Sequence, residues 1–547
     1  RLRVMDDEAF THIRMVKDPS DPHYLPPDAK QVLDGRPTAI HTETGVYAVG
    51  VEDLVLDGNW ENNQQAWDEE WASNKELEDW GRNSPGWAGV NGSNHSGKRI
   101  PQGQVVTIRN VAVLGYGSNG LLGNANSTWE VTNLLAGNSL WNHVLYNANG
   151  HYVNLTLTGF AWGHAAWGAG TVENLVYEEG TPSPRRQGKE VFAIRGGDAY
   201  SPGELAGNDG YFTREDGTID PNLGTRIEGF YMDLRGSGLS AAFNGLGPNI
   251  IIKGLSSDDP GRIVLDEGGL GVFYENGNGW QKALYPGNRF EHIRVYEQGS
   301  RGRGQTFGRA SLTGALLADI QTERLAGSDA LGGTSLWLQA KRRDHDAWNT
   351  VQTLEIQDLV EKAPHSFIAN VSASGNAAGI DVRISNSSFE NTTSTLFRGS
   401  SGQGTLATFD GDPSKLRVQM VASSFNMIGS YFDNYELFFD MTSFEGCTDK
   451  RSGRTSEDAG QVTVTATGGE RTIDIPTNLF WKPLAPSYID VSASSNGLVQ
   501  SVEAVHSNPD AADWRGPSLR VTLSRALAAS EQVTFTWSAA VRPIPSN

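Results

Sequence analysis

A chain of 547 residues exceeds what one compact core usually holds, so several domains or an elongated repeat array are expected. Its 64 glycines and 38% hydrophobic content suit short strands and turns better than packed helices, and no apolar run is long enough to span a membrane, so a soluble all-β chain without membrane insertion is expected. A formal net charge of −20 argues against nucleic acid as a partner, and the single cysteine, Cys447, excludes an intrachain disulfide framework and any cysteine-cluster metal site.

The basic residues are mostly Arg, a balance compatible with a halophilic origin and equally with GC-rich codon usage. Residues 1–45 open on "RLRVMDDEAF", which lacks the apolar centre of a signal peptide. They read as a cap segment of a chain that is either a mature form or a fragment. From Val46 onward one phrase recurs. "DLVLDG" (from Asp53), "VAVLGYG", "YVNLTLTG", "VENLVYEEG" and "IEGFYMDLRG" each set a short apolar strand against a closing Gly, Asn or Asp. "IIIKGLSS", "EHIRVYEQG", "LADIQTERL", "TLEIQDLV", "IDVRISNSSF", "LRVQMVASSF" and "ELFFDMTSF" continue it, with several neighbours about 20 to 30 residues apart. One such strand cannot bury its apolar side, whereas a stack of copies builds a continuous core. Gly, Asn and Asp supply the sharp turns at low steric cost.

This pattern, over roughly Val46 to Cys447, resembles the right-handed parallel β-helix family, the architecture of pectate lyases, polygalacturonases and viral tailspikes. The stretches 60–100 and 181–224 read as loops inserted between rungs. The first carries Trp60, Trp67, Trp71, Trp80 and Trp87, partly on a short helix, and "FAWGHAAWG" carries Trp162 and Trp167. Such tryptophans either cap the coil or offer an aromatic platform for sugar rings. Residues 448–461 are polar without apolar period and read as a linker. Beyond it, over 462–547, "QVTVTATG", "RTIDIPTN", "SYIDVSAS", "SLRVTLS" and "EQVTFTWSAAV" alternate with period two, which predicts a small antiparallel β-sandwich. That module resembles the C-terminal sandwich of many phage tail fibres and tailspikes, which implies a homotrimer or a glycan-binding role.

In a parallel coil, outward side chains of successive rungs line up ~4.8 Å apart. The expected stripe holds Tyr231 and Asp233, then Lys253, then His292 and Arg294, and continues through Asp319, Gln321, Glu355, Gln357 and Arg383. Acids, bases and amides so arranged suit a sugar chain, and they equally suit a solvated sheet face. Together with Trp162 and Trp167, the first five form the predicted substrate-binding set. "SSDDPGRIVLDEGG" offers Asp258, Asp259, Asp266 and Glu267, and "FEHIRVYEQG" offers Glu291 and Glu297. A glycosidase needs two carboxyl groups roughly 5 to 9.5 Å apart, and Asp259, Asp266 and Glu291 are the catalytic candidates. Asp-Asp-Pro is also ordinary turn composition. A lyase would instead need a base and a charge neutraliser, for which Lys253, His292 and Arg294 qualify.

"NDGYFTREDGTID" (Asn208 to Asp220) lacks calcium-loop ligands before Asp216, and "RRDHDAW" (Arg342 to Trp348) reads as a polar loop, so no metal is expected. The Gly-rich "GSNGLLGN" lacks a following helix, so no cofactor is expected either. Several Asn-x-Ser/Thr sequons, Asn154 among them, permit N-glycosylation or simply reflect turn composition. The family resemblance implies an extracellular or virion-tail protein that recognises a polysaccharide on a glycosylated cell surface, with cleavage of that polymer left open. A secreted glycoside hydrolase or polysaccharide lyase with an accessory domain, and a non-catalytic adhesin or fibre, are the alternatives.

Overall fold

Left-handed residues set the course of this chain. In a computed structural model, Asp53, Asn110, Asn133, Asn154 and Asn174 each interrupt a strand with φ between 52° and 58°. The structure describes residues 2–3, 40–41, 48–58, 88–91, 104–116, 119–123, 127–138, 144–146, 148, 150–159, 165–167, 170–178, 190–195, 224–237, 239, 241–246, 250–266, 271–274, 288–297, 305–308, 315–325, 334–341, 352–362, 367–374, 380–392, 395–399, 416–427, 430–433, 442–449, 454–479, 488–505 and 518–540. Among them no helix occurs, and none is therefore long and apolar enough to cross a membrane. The helix expected within 60–100 lies outside these residues. The chain divides into two compact units, 1–311 with 323–330, and 312–322 with 331–547.

In the first unit Gln104–Leu114 pairs in parallel with Ser127–Gly137, which pairs with Gly150–Thr158, then Gly170–Glu178, then Thr225–Asp233. Between these strands the chain visits a second parallel sheet, through Asn119–Leu122, Leu145–Tyr146, Ala165–Trp167, Glu190–Arg195 and Ala241–Leu246. A chain that alternates between two parallel sheets in this way is coiling. The fold is a parallel β-helix.

The left-handed residue explains a burial pattern that simple alternation does not. Tyr152 faces in, Val153 out, and Asn154 would face in next, yet Asn154 is exposed while Leu155 and Leu157 are buried. One residue at positive φ rotates the chain and resets the phase. The same beat runs through "VEDLVL", "IRNVAV", "VTNLLA", "YVNLTL" and "VENLVY". A left-handed conformation costs a non-glycine residue roughly 1–2 kcal/mol, and Asn tolerates it best through local hydrogen bonds. Here those bonds form a ladder. Asn110 donates to Asp53 at 2.9 Å, Asn133 to Asn110 at 2.8 Å, Asn154 to Asn133 at 2.8 Å and Asn174 to Asn154 at 3.0 Å. Because every amide donates toward the preceding rung, the first member needs only to accept, and it is an aspartate. The Asn154 nitrogen thus spends one of its two N–H donors on the ladder, and a glycan on that sequon would take the place of the other.

Inside, Trp129, Tyr152, Tyr177, Phe192, Phe243, Phe273 and Phe290 are fully buried. Phe230 meets Phe243 edge-on at 5.7 Å and Phe273 meets Phe290 at 5.0 Å, tying the two sheets of this unit across the core.

In the second unit the coil motif continues within its own boundaries. Gln352–Glu361 pairs in parallel with Ile380–Ser385 and Ser388–Thr392, which pair with Leu416–Val421 and Ser424–Met427. A column of small polar residues is buried at the turns. The Ser387 hydroxyl accepts the Leu359 N–H at 3.2 Å, Ser423 accepts that of Ser387 at 3.2 Å, and Ser456 accepts that of Cys447 at 2.9 Å. Cys447 stands in a serine's place. Burial pushes its thiol up to about 11, so it remains protonated at neutral pH.

The C-terminal module is a small antiparallel β-sandwich. Gln532–Ala540 pairs with Glu457–Thr465 and Tyr488–Ala493, and Ser518–Leu523 pairs with Thr472–Pro476 and Val499–Val505. Leu519, Val521, Val533 and Phe535 fill its interior. Residues 457–461, polar enough to read as linker, form the start of its first strand, where every second side chain is solvent-exposed.

Two turns of this module give it an acid limit. Glu470 accepts hydrogen bonds from the Thr467 hydroxyl and from the N–H groups of Thr467, at 2.7 Å, and Gly468, at 2.9 Å. Glu531 pairs with Arg525 at 2.6 Å and accepts the Ala528 N–H at 2.8 Å. The Thr467 hydroxyl in one case and the Arg525 guanidinium in the other hold these carboxyls down to about 2. A carboxyl more acidic in the folded state stabilises it above the unfolded value of 4.5, and that contribution vanishes as pH falls through about 2. Amide exchange at residues 466–470 and 525–531 of the intact chain should therefore accelerate as pH drops through this window, after correction for intrinsic rates. Glu470→Gln and Glu531→Gln should flatten the dependence. An unchanged profile in both variants would refute the assignment.

Candidate functional site

The outward face of the first unit consists of columns, one residue per rung, on either side of the left-handed turn. Upstream of the turn, Glu173, Glu228, Lys253 and Glu291 stand in register on successive rungs. Lys253 Nζ lies 3.2 Å from Glu228, which also pairs with Arg226. Arg289 Nε donates to Glu291 at 2.9 Å, and His151 Nε2 lies 3.9 Å from Glu173. Acids and bases on this side are matched to one another.

Downstream of the turn the chemistry changes. Tyr231, Arg262 and Arg294 form one column, and Asp233, Val264 and Tyr296 form the next. Tyr231 is 37% exposed. The Arg262 guanidinium lies over the Tyr296 ring, 5.3 Å from its centroid. The Asp233 carboxylate is held by the Arg235 guanidinium, with Nε at 2.9 Å, and by the Arg235 N–H at 3.1 Å. Those hydrogen bonds keep its carboxyl below the usual range.

Between the two sides the chain makes one excursion. Ile251–Lys253 and Gly261–Leu265 pair with the same two neighbouring strands, so residues 254–260 stand where adjacent rungs use only Gly229, φ 67°, or His292, φ 55°. The excursion is a hydrogen-bonded turn. The Asp259 carbonyl accepts the N–H groups of Leu255, at 2.9 Å, and Ser256, at 3.2 Å, while its own N–H donates to the Ser256 hydroxyl at 3.1 Å. Leu255, 53% exposed, stands on this ridge.

The predicted residues fall as follows. Tyr231, Asp233, Lys253 and Arg294 occupy outward positions on consecutive rungs. His292 sits in the turn column instead of the strand ladder, with Nδ1 3.3 Å from the Ser257 hydroxyl. Asp259 lies within the excursion and Glu291 beside it, since the Glu291 carbonyl accepts the N–H of Gly254. Asp266 stands past the end of Gly261–Leu265, on the order of 16 Å further along the strand by its rise, where it accepts the Gly236 N–H at 3.0 Å. Glu297 is buried. Trp162, Glu267 and the segments 208–220 and 342–348 lie outside the described residues, and Trp167 is described only in its backbone pairing. In the second unit, Asp319 takes the left-handed turn, and Glu355 stands in register with Arg383 at 3.8 Å. Gln321 and Gln357 flank apolar core residues of their strands. Among the described residues no group of three His, Cys, Asp or Glu is arranged to hold a metal ion.

No family model matches the chain, and no curated protein matches it in sequence. Solved structures that resemble it are phage tailspikes. That of Pseudomonas phage LKA1 is 10% identical over 81% of this chain and 68% of its own, with a TM-score of 0.35. That of Acinetobacter baumannii bacteriophage AP22, solved with a capsular saccharide, is 9% identical over 83% and 68%, with a TM-score of 0.26. That of Pseudomonas phage phi297 is 10% identical over 81% and 68%, with a TM-score of 0.24. At such scores and identities the likenesses assign no residue a role.

Arg262 and Tyr296 were not among the predicted binding residues. The strand Gly261–Leu265 falls outside the repeated phrase because the excursion separates it from Ile251–Lys253. The signal that finds it is the beat itself, an apolar residue on each side of the turn. Once residues 254–260 are treated as one expanded turn, "GRIVL" takes the place of "IRVYE" on the next rung.

Proposed function

We propose that the outward face of the first unit recognises a polysaccharide, and that the chain serves as a tailspike-like adhesion protein outside the cell or on a virion. The observation that supports this reading is the pairing of Tyr231 and Tyr296 with Arg262, Arg294 and Asp233 on three consecutive rungs. An aromatic face covers the apolar side of a sugar ring, while guanidinium and carboxylate groups take its polar substituents. Regular rung spacing lets one polymer meet several such rungs at once.

Cleavage is the second reading, favoured by the register of Glu228, Lys253 and Glu291. Two rungs separate the carboxylates by roughly 9.6 Å, near the upper end of the inverting-glycosidase range of roughly 6.5–9.5 Å. Of the candidates Asp259, Asp266 and Glu291, Glu291 is the one in that column. The test is a panel of purified polysaccharides, scored for binding, reducing ends and the ultraviolet absorbance of unsaturated uronates. Binding with reducing ends alone marks a hydrolase, new absorbance a lyase, and binding alone an adhesin. Absence of all three across the panel would overturn the reading. A homotrimer, held by the C-terminal sandwich, belongs to the same proposal and is checked by mass in solution.

A further inference from the structure

Arg262 differs from four of the described bases around it. Arg226, Lys253, Arg289 and Arg235 each pair with a carboxylate on their own rung or the next. Arg262 is exposed, its partner is the Tyr296 ring, and no carboxylate pairs with it among the described residues. In register it stands between Tyr231 on one side and Arg294 on the other. Like charges directly opposite in a sheet destabilise it, and here they are about one rung apart in a chain whose net charge is −20. Among the described residues no carboxylate offsets the Arg262 guanidinium beside this second arginine, and an anion would do so. With its guanidinium over the Tyr296 ring, Arg262 keeps N–H donors to meet a planar or tetrahedral oxyanion.

We propose, building on the polysaccharide reading, that the polymer is acidic and that Arg262 binds the carboxylate or sulfate substituent of a sugar whose ring lies along Tyr231 and Tyr296. The Asp233 carboxylate is turned toward Arg235. The charged column upstream of the turn is internally paired and takes no part in holding the anion.

The test uses the full chain against alginate, polygalacturonate, hyaluronan and dextran sulfate, with dextran and pullulan as neutral polymers and carboxyl-reduced polygalacturonate as a matched control. Binding should be confined to acidic polymers, and Arg262→Gln should weaken it roughly ten- to hundredfold. Arg262→Lys should recover part of the loss, and the salt dependence should become shallower in Arg262→Gln. Because Arg262 is exposed and faces a second arginine, the variant should not lower the thermal midpoint of the parent, which loss of a structural role would do. A response to alginate or polygalacturonate without one to dextran sulfate assigns a carboxylate, and the reverse assigns a sulfate. If the chain binds only neutral polymers, or binds acidic ones equally well with Gln at position 262, the acidic-ligand inference is overturned while the polysaccharide reading stands. If it binds no polymer at all, both fail.

Discussion

Trp129→Ala should cost about 3–5 kcal/mol and loosen the first coils of the chain without touching the C-terminal sandwich. The indole is fully buried on Ser127–Gly137, in register with Val106 on one neighbouring strand and Gly150 on the other. A Cβ on that glycine would lie 1.9 Å from the Trp129 carbonyl oxygen, so the two strands close tightly here, and truncating the indole opens a cavity in the core. In a coil each rung contacts mainly its neighbours, so the loss is felt locally and spreads by nearest-neighbour coupling. Hydrogen exchange read by peptide should show faster exchange over 104–158 and unchanged protection over 518–540. Trp129→Phe should recover roughly half of the cost. A change below about 1 kcal/mol in the unfolding of those rungs would show that the indole does not hold the core.

Much of this architecture was legible because its signals are short and repeated. Apolar residues facing one way, closed by Asn, Asp or Gly, announce a stack, and the clean period-two strands after Gln461 announce a separate antiparallel sheet. What misled was the phase. Strict alternation places His292 and Asp319 on the outward ladder, whereas both are left-handed turn residues that reset the pattern. The asparagine ladder carries that information in plain letters, since Asn110, Asn133, Asn154 and Asn174 occupy the same place in each phrase. Its meaning depends on contacts 20 to 23 residues away, which no local propensity reports. Arg262 was hidden for a different reason, because an expanded turn splits its rung. Trp129, embedded in "STWEVTNLL" outside the tryptophan-rich insertions, packs the coil's interior, which its own short strand does not announce. The chemistry of the face was legible only as residue types. Which acids are neutralised and which arginine is not follows from register, and register is set by the coil.

Gly261→Ala, a change of one methyl group, should destabilise the same unit by about 1–3 kcal/mol and weaken ligand binding even though every binding side chain is retained. A Cβ at this position would lie 2.3, 2.5 and 2.6 Å from three ring atoms of Phe230, far inside van der Waals contact. Phe230 is 6% exposed and is itself held edge-on against Phe243, so its ring has little room to retreat. The strand must move instead. Gly261 begins the strand that carries Arg262, and an outward shift there would lift the guanidinium from the Tyr296 ring. A double-mutant cycle separates collision from any effect on the unfolded chain. Phe230→Leu alone should cost about 1 kcal/mol, and in combination with Gly261→Ala the total should fall below the sum of the two single changes by a coupling of roughly 0.5–3 kcal/mol. Strict additivity would mean that the ring and the missing methyl do not compete for space. It would also mean that the glycine is there for the backbone alone, and the link between core and binding face would then have to run through another residue.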